Sequence, residues 1–600
     1  MDLLPKVFRT EGDLTDFNSS RIYESIIKET GLSEDKAKKI TELVVRRIIS
    51  SGIKFLSGPH IREIVCSILS EQHFEDERKL YTRIGMPLMD YEEIIEKGSE
   101  KFSKTMNPEI IHHWASNRIS EEYTHLRILT NEESKAHLYG DIHINKLRYF
   151  DLRPMTQTWD PSMILENGLP PLKGYISCCS LKPAKNLKEA CDHLIKWLIL
   201  AQNEISGIQG YLNVNNYLAP YVINLNEQNL KLIIKNFIYD MNYFSAISGR
   251  TISPTSLITI PSIASQIAKI PSIGPFGILN GHYEDFHGPS LSLFDNFTRN
   301  FIEGDDNNLS FLTPKHDVFI SEHLLNRYYR EYQNILSEIS SMRTPFLIKL
   351  NNQKFQDNDS KNIQPFTYNS QGILQEVCLN LPRVAYLSKD ESDFMEILKE
   401  KIELSSQILV KKYDIIKRRL KANHLPLLNG IINSHQIYNL ENQCLSLSFI
   451  GLNEAIKYLT TFELHENSDA FNLGKRILIE MSKTCNILSK KEGISFIVSE
   501  NTSDQSSLRF AKLDRKHFSK VAIPQKNGKL FHYTDSAHFR DKVDIDLIDR
   551  VKKQEVYHQY IDYNAIEYIS LENLYSHDIK LEDFIKKIFM PSKLERVKFY

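Results

Sequence analysis

Two hydrophobic rhythms divide the chain. Over residues 1–90 apolar positions recur at helical spacing. "SSRIYESIIKETG" opens a helix with Ser19 or Ser20 as its cap, and "SEDKAKKITELVVRRIISSG" repeats the pattern with Ser33 as cap, Glu34 and Asp35 in the first turn, and Gly52 at the stop. A third helix, "PHIREIVCSILSEQ", has Pro59 near its first position and Cys66 on its apolar face. Ahead of them "VFRTEGDLTDFN" alternates around Gly12, as a hairpin does. From about residue 100 to 570, helical patterns alternate with short β-rich runs, which predicts an α/β domain. There "NLKEACDHLIKWLILAQNEI" puts Leu187, Cys191, Leu194, Leu198, Ala201 and Ile205 on one stripe. "SDFMEILKEKIELSSQILVKKYDIIKRRL" is a long helix with acids at its start and Lys417, Arg418 and Arg419 at its end. Residues 253–290, rich in Pro, Ser and Gly, predict long loops, and 351–372 a polar loop. Residues 571–600 predict a short amphipathic helix and a basic, aromatic tail.

Composition narrows the class without naming it. Of 600 residues 41% are hydrophobic, and Lys plus Arg (74) nearly cancels Asp plus Glu (76), so no charge excess supports binding to a nucleic-acid duplex. No stretch approaches the roughly 18–20 apolar residues of a membrane span, and "MDLLPKVFRTEGD" lacks a signal-type apolar core, so a cytoplasmic protein is expected. Seven cysteines without a C-x-x-C pair argue against a disulfide framework and against structural zinc. The adjacent His112 and His113 cannot turn both rings to one metal from a helix, so no metal site is expected. Cys178 and Cys179 in "ISCCSLKP" suit a small-residue packing strand. In "QEVCLNLPRVAY", Cys378 precedes an Asn-Leu-Pro-Arg turn in an apolar run and reads as buried core.

Val7, Arg9, Thr10, Glu11 and Gly12, followed by Phe17, Asn18, Arg21 and Ile22, resemble the opening of the ATP-cone, the regulatory nucleotide-binding domain of ribonucleotide reductases. Gly12 permits a tight turn, and Arg9 and Arg21 supply cations for a triphosphate. Thr10 replaces a usual Arg. The rest resembles class III, anaerobic ribonucleoside-triphosphate reductase. The phrases that carry the likeness, in family order, are "AHLYGDIHINKLRYFDLRP", "KPAKNLKEACDHLIKWLILAQNEISGIQGYLNVNNYLAPY", "IPSIGPFG", "LNLPRVAYL", "GLNEAIKYLT", and "LRFAKLD" with "YTDSAHF". The resemblance implies a ten-stranded α/β barrel over 100–570 behind a mainly helical cone over 1–90, a homodimer, ATP or dATP as effector, and nucleoside triphosphates as ligands. His143, Asp535, Ser536 and His538 are its candidates for the substrate cavity, with Asp535 standing where the family commonly has Asn.

The family's reaction, as the resemblance implies, starts from a cysteine thiyl on a finger loop, generated by a glycyl radical in a C-terminal segment that follows zinc-binding cysteines. The finger corresponds to residues 351–370, which contain no cysteine. "LERVKFY" has no glycine, so neither zinc nor a glycyl radical is expected on this chain, and 571–600 is expected as a tail without a glycyl-radical domain. The resulting expectation is a nucleotide-binding member of the family that is radical-inactive as a single chain. Two alternatives stand beside it: a split reductase completed by a separate glycyl-radical polypeptide, with Cys378 or another cysteine as thiyl, and an interaction protein that binds no nucleotide.

Overall fold

The computed structural model describes residues 6–8, 14–52, 55–85, 88–97, 108–169, 180–223, 225–247, 255–311, 313–340, 345–349, 372–432, 435–501, 504–518, 521, 525–527, 530–540, 543 and 545–600. They form two compact units, one of residues 1–106 with 111–131, the other of 107–110 with 132–600. In the first unit β1 (Lys6–Phe8) pairs antiparallel with β2 (Leu14–Asp16) and parallel with β3 (Phe55–Ser57). Helices α1 (Ser19–Thr30), α2 (Glu34–Ser50), α3 (Gly58–Glu71) and α4 (Glu75–Tyr81) accompany this small sheet. The α1 cap is Asn18, whose side-chain oxygen accepts from Ser20 N at 2.9 Å, one or two residues earlier than the serines suggested. Ile22 and Ile26 of α1, Ile40, Val44 and Ile48 of α2, and Val65 and Ile68 of α3 share one buried core.

The second unit is organised around β4 (Ile142–Ile144), β5 (Gln157–Trp159), β6 (Gln209–Tyr211), β7 (Thr255–Thr259), β8 (Lys315–Ile320), β9 (Phe346–Lys349), β10 (Ile373–Asn380), β11 (Cys444–Ile450), β12 (Ser495–Glu500), β13 (Ile566–Ile569) and β14 (Arg596–Phe599). Strands β5 to β9 are parallel in chain order. So are β10, β11 and β12, and so are β13 and β14. A parallel bridge from Ser499 to Tyr563, with Asp562 N donating to Val498 O at 2.8 Å, carries the second set from β12 to β13. The two sets meet antiparallel at both edges. At one, β9 pairs with β14 (Phe346 opposite Lys598). At the other, Met155 N and Thr156 N reach Leu374 O (3.2 Å) and Ile373 O (2.9 Å). The ten-stranded α/β arrangement that the family resemblance implied is therefore the observed fold, with β4 as an additional antiparallel strand on β10.

Helices clothe one face of this wall. Into the outer layer fall α5 (Leu187–Ala201), α6 (Tyr329–Ser340), then α7 (Leu381–Leu387) at the end of β10, α8 (Glu391–Lys421) against β10 and β11, α9 (Leu452–Thr460), and α10 (Ser468–Glu492) against β12. Parallel strands wrapped in this way are buried on both sides, and β10 is buried along its whole length. Alternation then separates Val377, Leu379, Leu447, Phe449 and Val498 from the opposite face, which carries Glu376, Cys378, Ser446, Ser448 and Ser499. Tyr563 is within electrostatic reach of both Asp317 on β8 and Glu376 on β10, which identifies the polar face as the interior shared by the two sets.

Three expectations change. Residues 253–290 are not one long loop: β7 crosses the wall there, followed by a hairpin (Pro271–Ile273, Leu279–His282) and the start of a helix at His287. Residues 571–600 are not a tail, because "RVKF" alternates and inserts as β14 between β9 and β13, with Val597 and Phe599 buried. The family resemblance also implies that the helix over 187–205 takes part in the subunit contact, but its stripe Leu187, Cys191, Leu194, Leu198 and Ala201 is buried within this chain and does not supply that contact. Among the described residues no helix is long and apolar enough to cross a membrane.

One buried cation anchors the entry to the barrel. Lys412, in the middle of α8, donates from Nζ to the carbonyls of Tyr149 (2.9 Å), Phe150 (2.7 Å) and Arg153 (2.6 Å), the turn that delivers the chain to β5. Burial pushes its ammonium well below the usual lysine range. Lys412→Met keeps the length and removes the donors, leaving three carbonyls unsatisfied, and should cost about 3 kcal/mol or more of stability. Urea unfolding within 1 kcal/mol of the unmodified chain would show, at about the scale of a single hydrogen bond, that the anchor is dispensable.

Candidate functional site

Four of the sequence phrases meet at the C-terminal ends of β10 and β11. Asp514, on α11 (Asp504–His517), accepts from Arg383 Nε (2.7 Å), Asn380 Nδ2 (3.0 Å) and Tyr533 OH (2.9 Å). Asn380 also donates to Gly140 O at 2.9 Å, and the Arg383 guanidinium reaches Tyr139 O and, at 3.3 Å, Asp141 Oδ1. Burial raises the Asp514 carboxyl and Arg383 pulls it back, with burial ahead. Gly451, at φ 76°, follows β11 so closely that a Cβ would lie 2.5 Å from Pro382 Cγ; its N–H donates to Thr534 O at 2.9 Å. Glu454 then accepts from Thr534 N (3.2 Å) and Oγ1 (2.6 Å), and burial lifts its carboxyl to about 7.

Beneath this knot lies a polar inner face. Glu376 Oε1 accepts from Asn501 Nδ2 (2.8 Å) and Asn145 Nδ2 (3.2 Å), and burial raises its carboxyl. Ser446 and Ser499 share a 2.5 Å hydrogen bond, and Ser506 donates to Asn501 Oδ1 at 3.1 Å. Cys378 is on the same face but roofed: it is 0% exposed and packs with Ile450, Phe510, Ala511 and Tyr533. Burial, with Glu376 adding, pushes its thiol well above the usual range.

The sequence candidates for the cavity scatter around this face. Ser536, at φ 40°, accepts from Asn501 N at 2.9 Å and donates to Phe449 O at 3.1 Å, so it ties β11 to β12. Asp535 bridges Ile450 and is half-buried. His143 sits opposite Cys378 on β4, its ring 5.3 Å from His137; burial and then Arg509 depress it to about 3, so it is neutral. Glu376, Asn145, Ser448 and Asn501 were not singled out in the sequence. The detectable signal was "QEVC", where a carboxyl precedes the cysteine by two residues and so shares its face.

In the first unit Val7 is half-buried on β1 and Arg21 is exposed on α1, while Ile22 is buried in the helical core. Arg9, Thr10, Glu11 and Gly12 lie outside the described residues, as do Cys178, Cys179 and 351–371. Among the described residues no cluster of three or more His, Cys, Asp or Glu side chains could hold a metal.

His538 fills the gap where β12 and β13 are joined by one bridge. Its Nε2 bonds Glu500 Oε1, and Glu500 Oε2 accepts from Ile566 N at 2.9 Å, so the pair completes the seam through side chains. Burial alone would lower the His538 imidazole, but the Glu500 carboxylate outweighs it and holds the group at about 9. The neighbouring His558, its ring 6.3 Å away, is driven by burial and by His538 to about 3. Because the folded value of His538 lies above the unfolded one, its stabilisation is complete below about pH 6.5 and is lost as pH rises through about 9. The stability difference between the unmodified chain and His538→Gln should therefore shrink from pH 6 to pH 9.5, by on the order of 3 kcal/mol. A difference that stays constant across that window in urea unfolding would refute a charged His538.

Comparison with known proteins bears on the same geometry. The family model for anaerobic ribonucleoside-triphosphate reductase matches residues 100–599. The anaerobic ribonucleoside-triphosphate reductase of Escherichia coli (strain K12) is 20% identical over 97% of this chain and 88% of its own length. That of Haemophilus influenzae is 26% identical over 34% of this chain and 30% of its own. Among solved structures, the anaerobic ribonucleotide reductase of Thermotoga maritima in complex with dATP and CTP superposes with a TM-score of 0.66 at 16% identity, covering 82% of this chain and 84% of that one. The same enzyme with MES in its active site gives 0.70, covering 90% and 91%. The match of the family model across the whole barrel unit, together with the ten-stranded wall itself, means that this chain belongs to the anaerobic ribonucleoside-triphosphate reductase family.

Proposed function

We propose that this chain is a nucleotide-binding member of the family that does not initiate ribonucleotide reduction by itself. The observation that carries this reading is the seat of Cys378. It lies on the inner face, yet Phe510, Ala511 and Tyr533 close over it, and its exposure is zero. A thiyl must touch the ribose carbon from which it takes hydrogen, and catalysis of this kind depends on near-contact geometry. The segment corresponding to the family's finger, residues 351–370, offers no cysteine in its place. The inner wall nevertheless keeps Glu376, Ser448 and Asn501, groups suited to hydroxyl and amide recognition.

Nucleotide binding is supported in each unit separately. The first unit has the strand pair and helices of the cone reading, its sequence supplies Arg9 and Arg21 as cations, and we assign ATP or dATP to it as effector. The Thermotoga maritima enzyme, whose fold the barrel shares, has been solved with dATP and CTP. A homodimer belongs to the same reading, through a surface other than the α5 stripe.

Calorimetry on the intact chain should show ATP or dATP binding that Arg9→Ala weakens by about 1.5–3 kcal/mol, the worth of a charge-assisted contact. The absence of heat with either nucleotide at high protein concentration would refute the cone assignment. Anaerobic incubation with a class III activase, S-adenosylmethionine and a ribonucleoside triphosphate should give no deoxyribonucleotide. Product from this polypeptide alone would overturn the proposal. Product that needs an added glycyl-radical peptide, and vanishes in Cys378→Ser, would instead establish the split enzyme.

A further inference from the structure

The inner wall mixes polar positions with apolar ones such as Ile497 and Ile258, and its positive charge is gathered on one side. On β10, β11 and β12 the inner positions Ser446, Ser448 and Ser499 are neutral, and the Glu376 carboxyl is raised by burial. Across the barrel, strand order places Phe346 of β9 between Lys315 of β8 and Lys598 of β14, with Phe346 directly opposite Lys598. Both ammonium groups converge on the Phe346 ring, Lys315 Nζ at 5.5 Å from its centroid and Lys598 Nζ at 4.8 Å.

Neither ammonium has a carboxylate or other protein acceptor within bonding distance among the described residues. Lys598 is half-buried, and burial, then the charge of Lys315, lowers it below the usual lysine range. Asp317, on the same face of β8, is the acid that opposes this, but its carboxyl accepts from Ser256 Oγ at 2.6 Å and is itself raised by burial. Arg596, two residues before Lys598 and on its face, lies over Tyr563 at 5.6 Å. The wall continues from Lys598 to Tyr568, its cross-strand neighbour, and to His538, whose ring is 5.5 Å from that of Tyr568 and whose charge Glu500 already meets.

Two like charges brought to one ring repel each other, and an aromatic face returns only about 0.5–1 kcal/mol each at an exposed site. What would satisfy both is an anion with several oxygen acceptors spaced a few ångströms apart. We infer that Lys315 and Lys598, flanking Phe346 at the β8–β9–β14 side of the barrel mouth, hold the phosphates of a nucleotide whose sugar faces the Ser448–Asn501 side. The inference rests on the nucleotide-binding reading above and adds the position of the phosphates within it. Bound there, the phosphate oxygens accept from both Nζ groups, and the like-charge repulsion becomes shared attraction.

The test is amine acylation of the intact chain, read lysine by lysine by peptide mass mapping, with CTP as probe because the cone is assigned to adenine nucleotides. CTP should reduce labelling of Lys315 and Lys598 at least threefold, cytidine should not, and the surface residue Lys593 should be unaffected by either. The double variant Lys315→Gln, Lys598→Gln should bind CTP at least tenfold more weakly while its ATP titration is unchanged. CTP binding seen by calorimetry with unchanged labelling at both lysines would overturn this inference and leave the nucleotide reading standing. No heat with CTP, ATP or dATP would remove both. Protection by inorganic tripolyphosphate but not by CTP would make the site one for free polyphosphate and refute the nucleotide assignment.

Discussion

A buried ion pair holds the working end of the barrel. Asp514 and Arg383 come out of water at a cost that mutual attraction alone need not repay, and such pairs persist where every remaining lone pair and proton is also satisfied. That condition is met here at every group but one. Asn380 and Tyr533 supply the other bonds to Asp514, and the carbonyl of Tyr139 and the carboxylate of Asp141 take Arg383 Nη1, while Arg383 Nη2 lies 2.6 Å from Asp514 Oδ1 without an aligned hydrogen bond. Each partner comes from a different part of the chain, so the pair forms only when the strand, the two helices and the 530–536 loop have all arrived. Lys401 extends the network by bonding Asp141 Oδ2 at 2.7 Å from the outer helix α8.

With that end closed, the wall divides the work between its faces. The outer face is apolar and supplies the burial that drives folding, since helices cover it from β10 through β12. The inner face is free to be polar, and it carries Glu376, Asn501, Ser448, Asp317, Arg596 and the two converging lysines. Buried carboxyls survive there because amide and hydroxyl donors reach them, whereas at Glu454 burial outweighs the two Thr534 donors and lifts the carboxyl to about 7.

The cysteine illustrates how location and access differ. Cys378 occupies an inner-face position, next but one to Glu376, yet α11 and Tyr533 roof it. A side chain can thus share a catalytic wall and still be core, and what decides is the element laid over it from more than a hundred residues away.

Local order was legible in the sequence: the helices of the first unit, the α5 stripe and the long α8 helix follow from apolar spacing and end charges, which depend on neighbours three and four residues apart. The barrel was legible only through motif resemblance, because strands of three to eight residues leave too short a pattern to declare their partners. Residues 253–290 and 571–600 were misread for that reason: β7 and β14 are brief, and their place is set by pairing with strands far along the chain. The candidate site divides in the same way. Chemistry-bearing residue types such as His143, Asp535 and His538 are visible one by one in the sequence. The Glu500 partner of His538, the roof over Cys378 and the meeting of Lys315 with Lys598 are decided by tertiary structure alone, since electrostatics and burial act through space between residues that the chain keeps dozens to hundreds of positions apart.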